Sequence, residues 1–185
     1  MLTFDKKDWI AIPNILSLVR LLLIPLFSII YLNATQPFHY YVAAVIILFS
    51  GLTDLLDGWI ARKYHQITEL GKILDPVADK LTQVVIVFCL LTKFKWMTLV
   101  AVIFLIKELF MLINSLVLLQ KGKKLDGAKW YGKISTALFY ICMILLIAFP
   151  TISNFIAGML IMIIVFFLLL SLLLYGKTFK KMYRE

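Results

Sequence analysis

The chain has 185 residues, 63% of them hydrophobic and 16% charged, with a mean hydropathy of +0.98, a composition that excludes an ordinary water-soluble domain and points to an integral membrane protein. A formal net charge of +9 could suggest nucleic acid, but the cations fall in short segments between long apolar runs, which fits anionic headgroups and membrane topology, so no nucleic-acid partner is expected. Cys89 and Cys142 lie in apolar stretches without C-x-x-C or His-paired spacing and read as small buried hydrophobes.

In chain order, the N-terminal MLTFDKKDWIAIPN carries charge on both sides of Trp9 and lacks a small-residue cleavage site, so no removable signal peptide is expected. Because about 20 apolar residues cross a bilayer, spans are predicted near 10–32, 41–61, 74–92, 96–119, 132–149 and 152–175. The fold class is therefore an all-α integral membrane protein of six transmembrane helices, forming one transmembrane domain over 1–185. The second and third spans carry acids and qualify only if their acidic ends face protein or water. Lys6 and Lys7 precede the first span; Arg62, Lys63 and Lys72 flank the second connection; Lys121, Lys123, Lys124, Lys129 and Lys133 fill the fourth; and Lys177, Lys180, Lys181 and Arg184 form the tail. NATQPFHY and FPTISN, on the opposite side, have no Lys or Arg, and the third connection has Lys93 and Lys95. By the positive-inside rule, both termini and the acidic stretch face the cytoplasm from the cytoplasmic membrane.

The stretch SGLTDLLDGWIARKYHQITELGKILDPVADKL holds Asp54, Asp57, Asp75 and Asp79. On a helix, Asp54, Asp57, Gly58, Ala61 and Arg62 share one face. Gly58 and Ala61 leave that stripe nearly bare, so that a ligand or another backbone can approach between the carboxylates and the guanidinium. Asp75 and Asp79 stand one turn apart at the start of the third span, with Gly71 one turn further back. Asp75-Pro76 also admits a capping reading, Asp as N-cap and Pro as first helical residue, but this leaves Asp79 unexplained, a carboxylate one turn into an apolar helix. Four acids brought together demand cations or protons. Hard oxygen donors favour Mg²⁺ or Mn²⁺ over zinc, and with Arg62 the single basic residue on the stripe, ion pairing cannot neutralise all four. Such a set could hold two metals for displacement at phosphorus, with Arg62 free for a phosphate oxygen. His65 and Glu69 read as polar residues of the connection, and Trp9, Trp96 and Trp130 as interfacial anchors.

The residues spell D-x2-D-G-x2-A-R-x8-G-x3-D-x3-D without a gap, which resembles the signature of the CDP-alcohol phosphatidyltransferase family, and the resemblance extends over nearly the whole chain. It implies transfer of a phosphatidyl group from CDP-diacylglycerol to an alcohol with release of CMP, two divalent cations held by Asp54, Asp57, Asp75 and Asp79, and proton removal from the attacking hydroxyl by Asp79. By the same resemblance, Asp54, Gly58, Ala61, Arg62 and Gly71 bind the cytidine diphosphate, and the chain is a homodimer among membrane lipids. IPNILSLVRLLLIP and GLTDLLDGWIARK are similar to the subfamily containing phosphatidylglycerophosphate synthase and the related cardiolipin synthases.

A glycerol 3-phosphate acceptor needs cations beside the metals. Lys107 in the fourth span, Lys133 opening the fifth and Arg20 in the first are the candidates. Arg20 could instead snorkel or pair with an aspartate. Lys107 precedes Glu108, but adjacent helix positions do not face each other, which argues against simple pairing. Lys107-Glu108-Leu109 stands where the synthases usually carry Arg-Glu-Phe, and Lys lacks the planar fork of Arg. The alternatives are a cardiolipin synthase using phosphatidylglycerol as acceptor and, from another class, a cation transporter. Against the transporter, the acids cluster in one helix pair and the last two spans hold none.

Overall fold

The computed structural model describes residues 11–64, 66, 68–123, 127 and 129–184, with Arg62 described by its backbone alone. Trp9, Lys6, Lys7, His65 and Lys124 lie outside the described residues. Among the described residues there are six helices: α1 Ile12–Leu32, α2 Pro37–Lys63, α3 Gly71–Leu91, α4 Met97–Gln120, α5 Trp130–Ala148 and α6 Asn154–Arg184. Five of them, all but α3, are long and apolar enough to cross a membrane. In α3 the first half carries Lys72, Asp75, Asp79 and Lys80, which dilutes its apolar run. The chain is thus all-helical and built as an integral membrane protein.

Helix ends follow local chemistry. Pro37 takes the first position of α2 behind an extended Gln36, where its missing N–H costs nothing and its fixed φ suits a helix; this starts α2 four residues earlier than the apolar run alone predicts. α4 closes with Gly122 at φ 70°, the Gly122 N–H on the Leu119 carbonyl at 3.0 Å and the Lys123 N–H on that of Leu118 at 2.9 Å, the paired C-terminal bonds that a left-handed residue permits. α6 runs on to Arg184 rather than ending near 175, because Lys177, Lys180, Lys181 and Arg184 are good helix formers and cations suit a helix C-terminus.

The chain packs as two compact units, one of residues 1–93 with 144–150, the other of 94–143 with 151–185. In the first, α1 packs against both α2 and α3. Its outward side chains, Leu22, Leu26 and Ile29, are exposed, as a lipid-facing surface requires, while Phe27 and Tyr31 are buried and Tyr31 meets Tyr40 of α2 edge-on at 5.6 Å. In the second unit α4 packs on α6, around Leu118, Tyr131, Tyr175 and Phe179.

Candidate active site

Sequence places the acids on α2 and α3; the structure adds what holds them. α1, lying against both helices, turns Asn14, Ser17 and Arg20 inward, all with 1% exposure or less. The Arg20 guanidinium forks: Nη1 donates to Asp54 Oδ1 at 2.5 Å, and Nη2 donates to Asp57 Oδ2. The Ser17 hydroxyl lies against Asp75 Oδ1 and 3.5 Å from Asp57 Oδ2. One face of α1 therefore gathers carboxylates from two other helices. Asp57 is buried and Asp54 stays partly open.

Asp79, one turn beyond Asp75, accepts from Gln83 Nε2 at 3.1 Å on both oxygens, and Lys80 Nζ stands 3.8 Å from its Oδ2. Asp54 lies within electrostatic range of both Asp75 and Asp79. Gly58 and Ala61 are partly buried on the stripe with Asp54 and Asp57. The side chain of Arg62, assigned to the cytidine diphosphate, lies outside the described residues.

Gly71 has a packing reason of its own. A Cβ there would lie 2.6 Å from Asn14 Oδ1 and 3.0 Å from Thr68 Oγ1. Those two side chains are joined, Asn14 Nδ2 donating to Thr68 Oγ1 at 2.8 Å, and the same hydroxyl accepts the Gly71 N–H at 3.0 Å. Close approach of α1 to the start of α3 thus depends on a missing side chain.

Three expectations are corrected. Asp75 does not cap α3: the helix begins at Gly71 and Pro76 lies inside it, so Asp75 sits on the helix with its carboxylate against Ser17 and the capping explanation falls. Neutralisation of the acids is not limited to Arg62, because a cation from a neighbouring helix, Arg20, pairs with two of them; this is the aspartate pairing weighed for Arg20 from the sequence, which a count of charges along one stripe left out. Lys107 does pair with its neighbour, Nζ lying 2.7 Å from Glu108 Oε1. The adjacency rule concerns Cβ directions, and the long Lys and Glu stems bend round it in a buried setting where an unpaired ammonium is costly. Lys133 is exposed in the first turn of α5.

Among the described residues, no group of three or more His, Cys, Asp or Glu side chains stands close enough together to hold a metal ion. The donor set nonetheless fits hard divalent cations in kind. It is all carboxylate, and Arg20 and Ser17 engage Asp54 Oδ1, Asp57 Oδ2 and Asp75 Oδ1, which leaves Asp54 Oδ2, Asp57 Oδ1 and Asp75 Oδ2 outside those contacts.

A family model described as CDP-alcohol phosphatidyltransferase matches residues 10–173. The chain belongs to this family. Among curated proteins, it is 37% identical over 131 residues to the CDP-diacylglycerol--glycerol-3-phosphate 3-phosphatidyltransferase of Escherichia coli (strain K12), covering 68% of this chain and 70% of that protein. The proteins of the same name from Escherichia coli O157:H7 and Shigella flexneri serotype 5b (strain 8401) match to the same extent. The matched residues 10–173 take in every motif position, from Asp54 to Asp79, and all of α1.

Proposed function

We propose that this chain transfers the phosphatidyl group of CDP-diacylglycerol to glycerol 3-phosphate, forming phosphatidylglycerophosphate and releasing CMP. The observation that carries this reading is that α1 engages Asp54 and Asp57 through Arg20 and Asp75 through Ser17, in a family member whose relatives are named for that reaction. Two divalent cations, Mg²⁺ or Mn²⁺, held by Asp54, Asp57, Asp75 and Asp79, would neutralise the pyrophosphate and the charge of departing CMP. Asp54, Gly58, Ala61, Arg62 and Gly71 bind the cytidine diphosphate.

The acceptor hydroxyl oxygen forms a bond to the phosphorus that bears the diacylglycerol, the bond from that phosphorus to the CMP oxygen breaks, and the hydroxyl proton passes to the Asp79 carboxylate. Gln83, donating to both Asp79 oxygens, fixes the orientation of that base. Lys107 and Lys133 are assigned to the acceptor phosphate, whereas the Arg20 nitrogens already lie on Asp54 and Asp57 and we assign that residue to the aspartates. The six helices all span, both termini and the site face the cytoplasm, and the protein is a homodimer in the cytoplasmic membrane.

The decisive assay incubates purified protein with CDP-diacylglycerol and Mg²⁺, supplies one alcohol at a time and measures CMP. Release with glycerol 3-phosphate is expected. Release with phosphatidylglycerol alone would make the chain a cardiolipin synthase, and cation flux in vesicles with no CMP from any alcohol would make it a transporter.

A further inference from the structure

Ser17 is fully buried on α1, and its hydroxyl faces three acceptors at once: the Pro13 carbonyl at 3.1 Å, Asp57 Oδ2 at 3.5 Å and Asp75 Oδ1 nearest of all. A serine inside a helix usually satisfies itself on the carbonyl four residues back. Here that bond is available, yet the nearest partner belongs to α3. The hydroxyl thus lies against the Asp75 carboxylate of α3 and within reach of the Asp57 carboxylate of α2.

α1 packs on both α2 and α3, so α1 bears on the separation of Asp57 from Asp75, and Ser17 touches both. Neighbouring Arg20 does the same for Asp54 and Asp57, but it adds a charge, and Coulomb repulsion of a cation then opposes its positioning effect. Ser17 is neutral. It places no repelling charge beside a cation, so its effect on the position of Asp75 is easier to read than that of Arg20.

We propose that Ser17 is a positioning residue for the carboxylate cluster, fixing Asp75 against Asp57 so that each presents its second oxygen to a divalent cation. The proposal rests on the divalent-cation reading of the site. Groups that orient ligands without touching the metal commonly change affinity by 10–100-fold when removed. A hydroxyl lost at this buried spot also leaves Asp75 Oδ1 without its donor.

The test titrates Mn²⁺ into the purified full-length protein and reads free aquo-Mn²⁺ by electron paramagnetic resonance, with no substrate present. Ser17→Ala is expected to raise the Kd by about 10-fold or more, and Ser17→Thr, which keeps the hydroxyl, to stay near the parent value. Ser28→Ala serves as the control for packing: Ser28 also lies on α1, with its hydroxyl on the Ile24 carbonyl at 3.0 Å, and its removal is expected to leave the Kd unchanged. Should Ser17→Ala not fold, Ser17→Cys carries the test, its weaker donor predicting a smaller rise in the same direction. A Ser17→Ala protein that binds Mn²⁺ as the parent does overturns the positioning role while leaving the metal reading intact. A parent protein that takes up no Mn²⁺ overturns both.

Discussion

Position 71 shows how little room α1 leaves beside the motif. The nearest atoms to an added methyl, Asn14 Oδ1 at 2.6 Å and Thr68 Oγ1 at 3.0 Å, are themselves tied together and to the Gly71 N–H, so neither can retreat without losing a bond. Overpacking of this kind costs about 1–3 kcal/mol. Gly71→Ala is therefore expected to lower the melting temperature of the detergent-solubilised protein and also its CMP release; unchanged values for both would show that the α1–α3 contact is loose. Asp79 poses a separate question, because Gln83 and Lys80 both reach it. Asp79→Asn keeps the shape and one accepting oxygen for Gln83 but removes the base, and the expected outcome is loss of turnover with the melting transition retained. Turnover near the parent rate would take the proton-accepting role away from this residue.

At the scale of helices, α1 is the element that organises the first unit, and Arg20 tests it. Removing one partner from a buried ion pair costs about 3–5 kcal/mol, because a charge is left uncompensated; Asp57 fits that case, whereas Asp54 is open enough for water to share the load. Arg20→Gln is expected to lower the melting temperature without divalent cations, and added Mg²⁺ should stabilise the variant more than the parent, since the cation then has no guanidinium to compete with. Equal Mg²⁺ shifts in the two proteins would mean that Arg20 and the cation do not share the carboxylates. The same helix explains what could and could not be read from the sequence. Long apolar runs located all six helices, and the D-x2-D…D-x3-D spacing located the acids, because both signals are local to one helix. The pairing of Arg20 with Asp54 and Asp57, and of Ser17 with Asp75, crosses 34 to 58 positions of chain, and no periodicity encodes it. The available signal was weaker: Asn14, Ser17 and Arg20 stand as three polar residues in an otherwise apolar run, each needing a buried partner.

For the molecule as a whole, α3 decides how the chain is threaded through the bilayer. Its 21 residues are enough to cross, but its charged first half makes it the least lipid-like of the six; the contacts on α1 supply the protein surroundings those acids require. α6 poses the converse case, since 31 residues extend about 46 Å, more than a hydrocarbon core needs. Its last turns are held beside the end of α4, Lys123 Nζ donating to the Met182 carbonyl at 2.8 Å and Tyr183 to Asn114 Oδ1 at 3.1 Å, which puts the cations of the tail and of the α4–α5 connection at one end of that unit. Single cysteines introduced into a Cys89→Ala, Cys142→Ala background, and probed in intact cells with a membrane-impermeant maleimide, resolve the threading. Gln36→Cys and Lys95→Cys, both at exposed positions, are expected to label from outside, and Glu69→Cys and Lys121→Cys only after the membrane is opened. If α3 did not span, Lys95→Cys would behave like Glu69→Cys, and the cytoplasmic assignment of everything after it would have to be redrawn. Because the carboxylates lie near the Glu69 end of both α2 and α3, the sidedness of Glu69→Cys also fixes the side from which glycerol 3-phosphate must arrive.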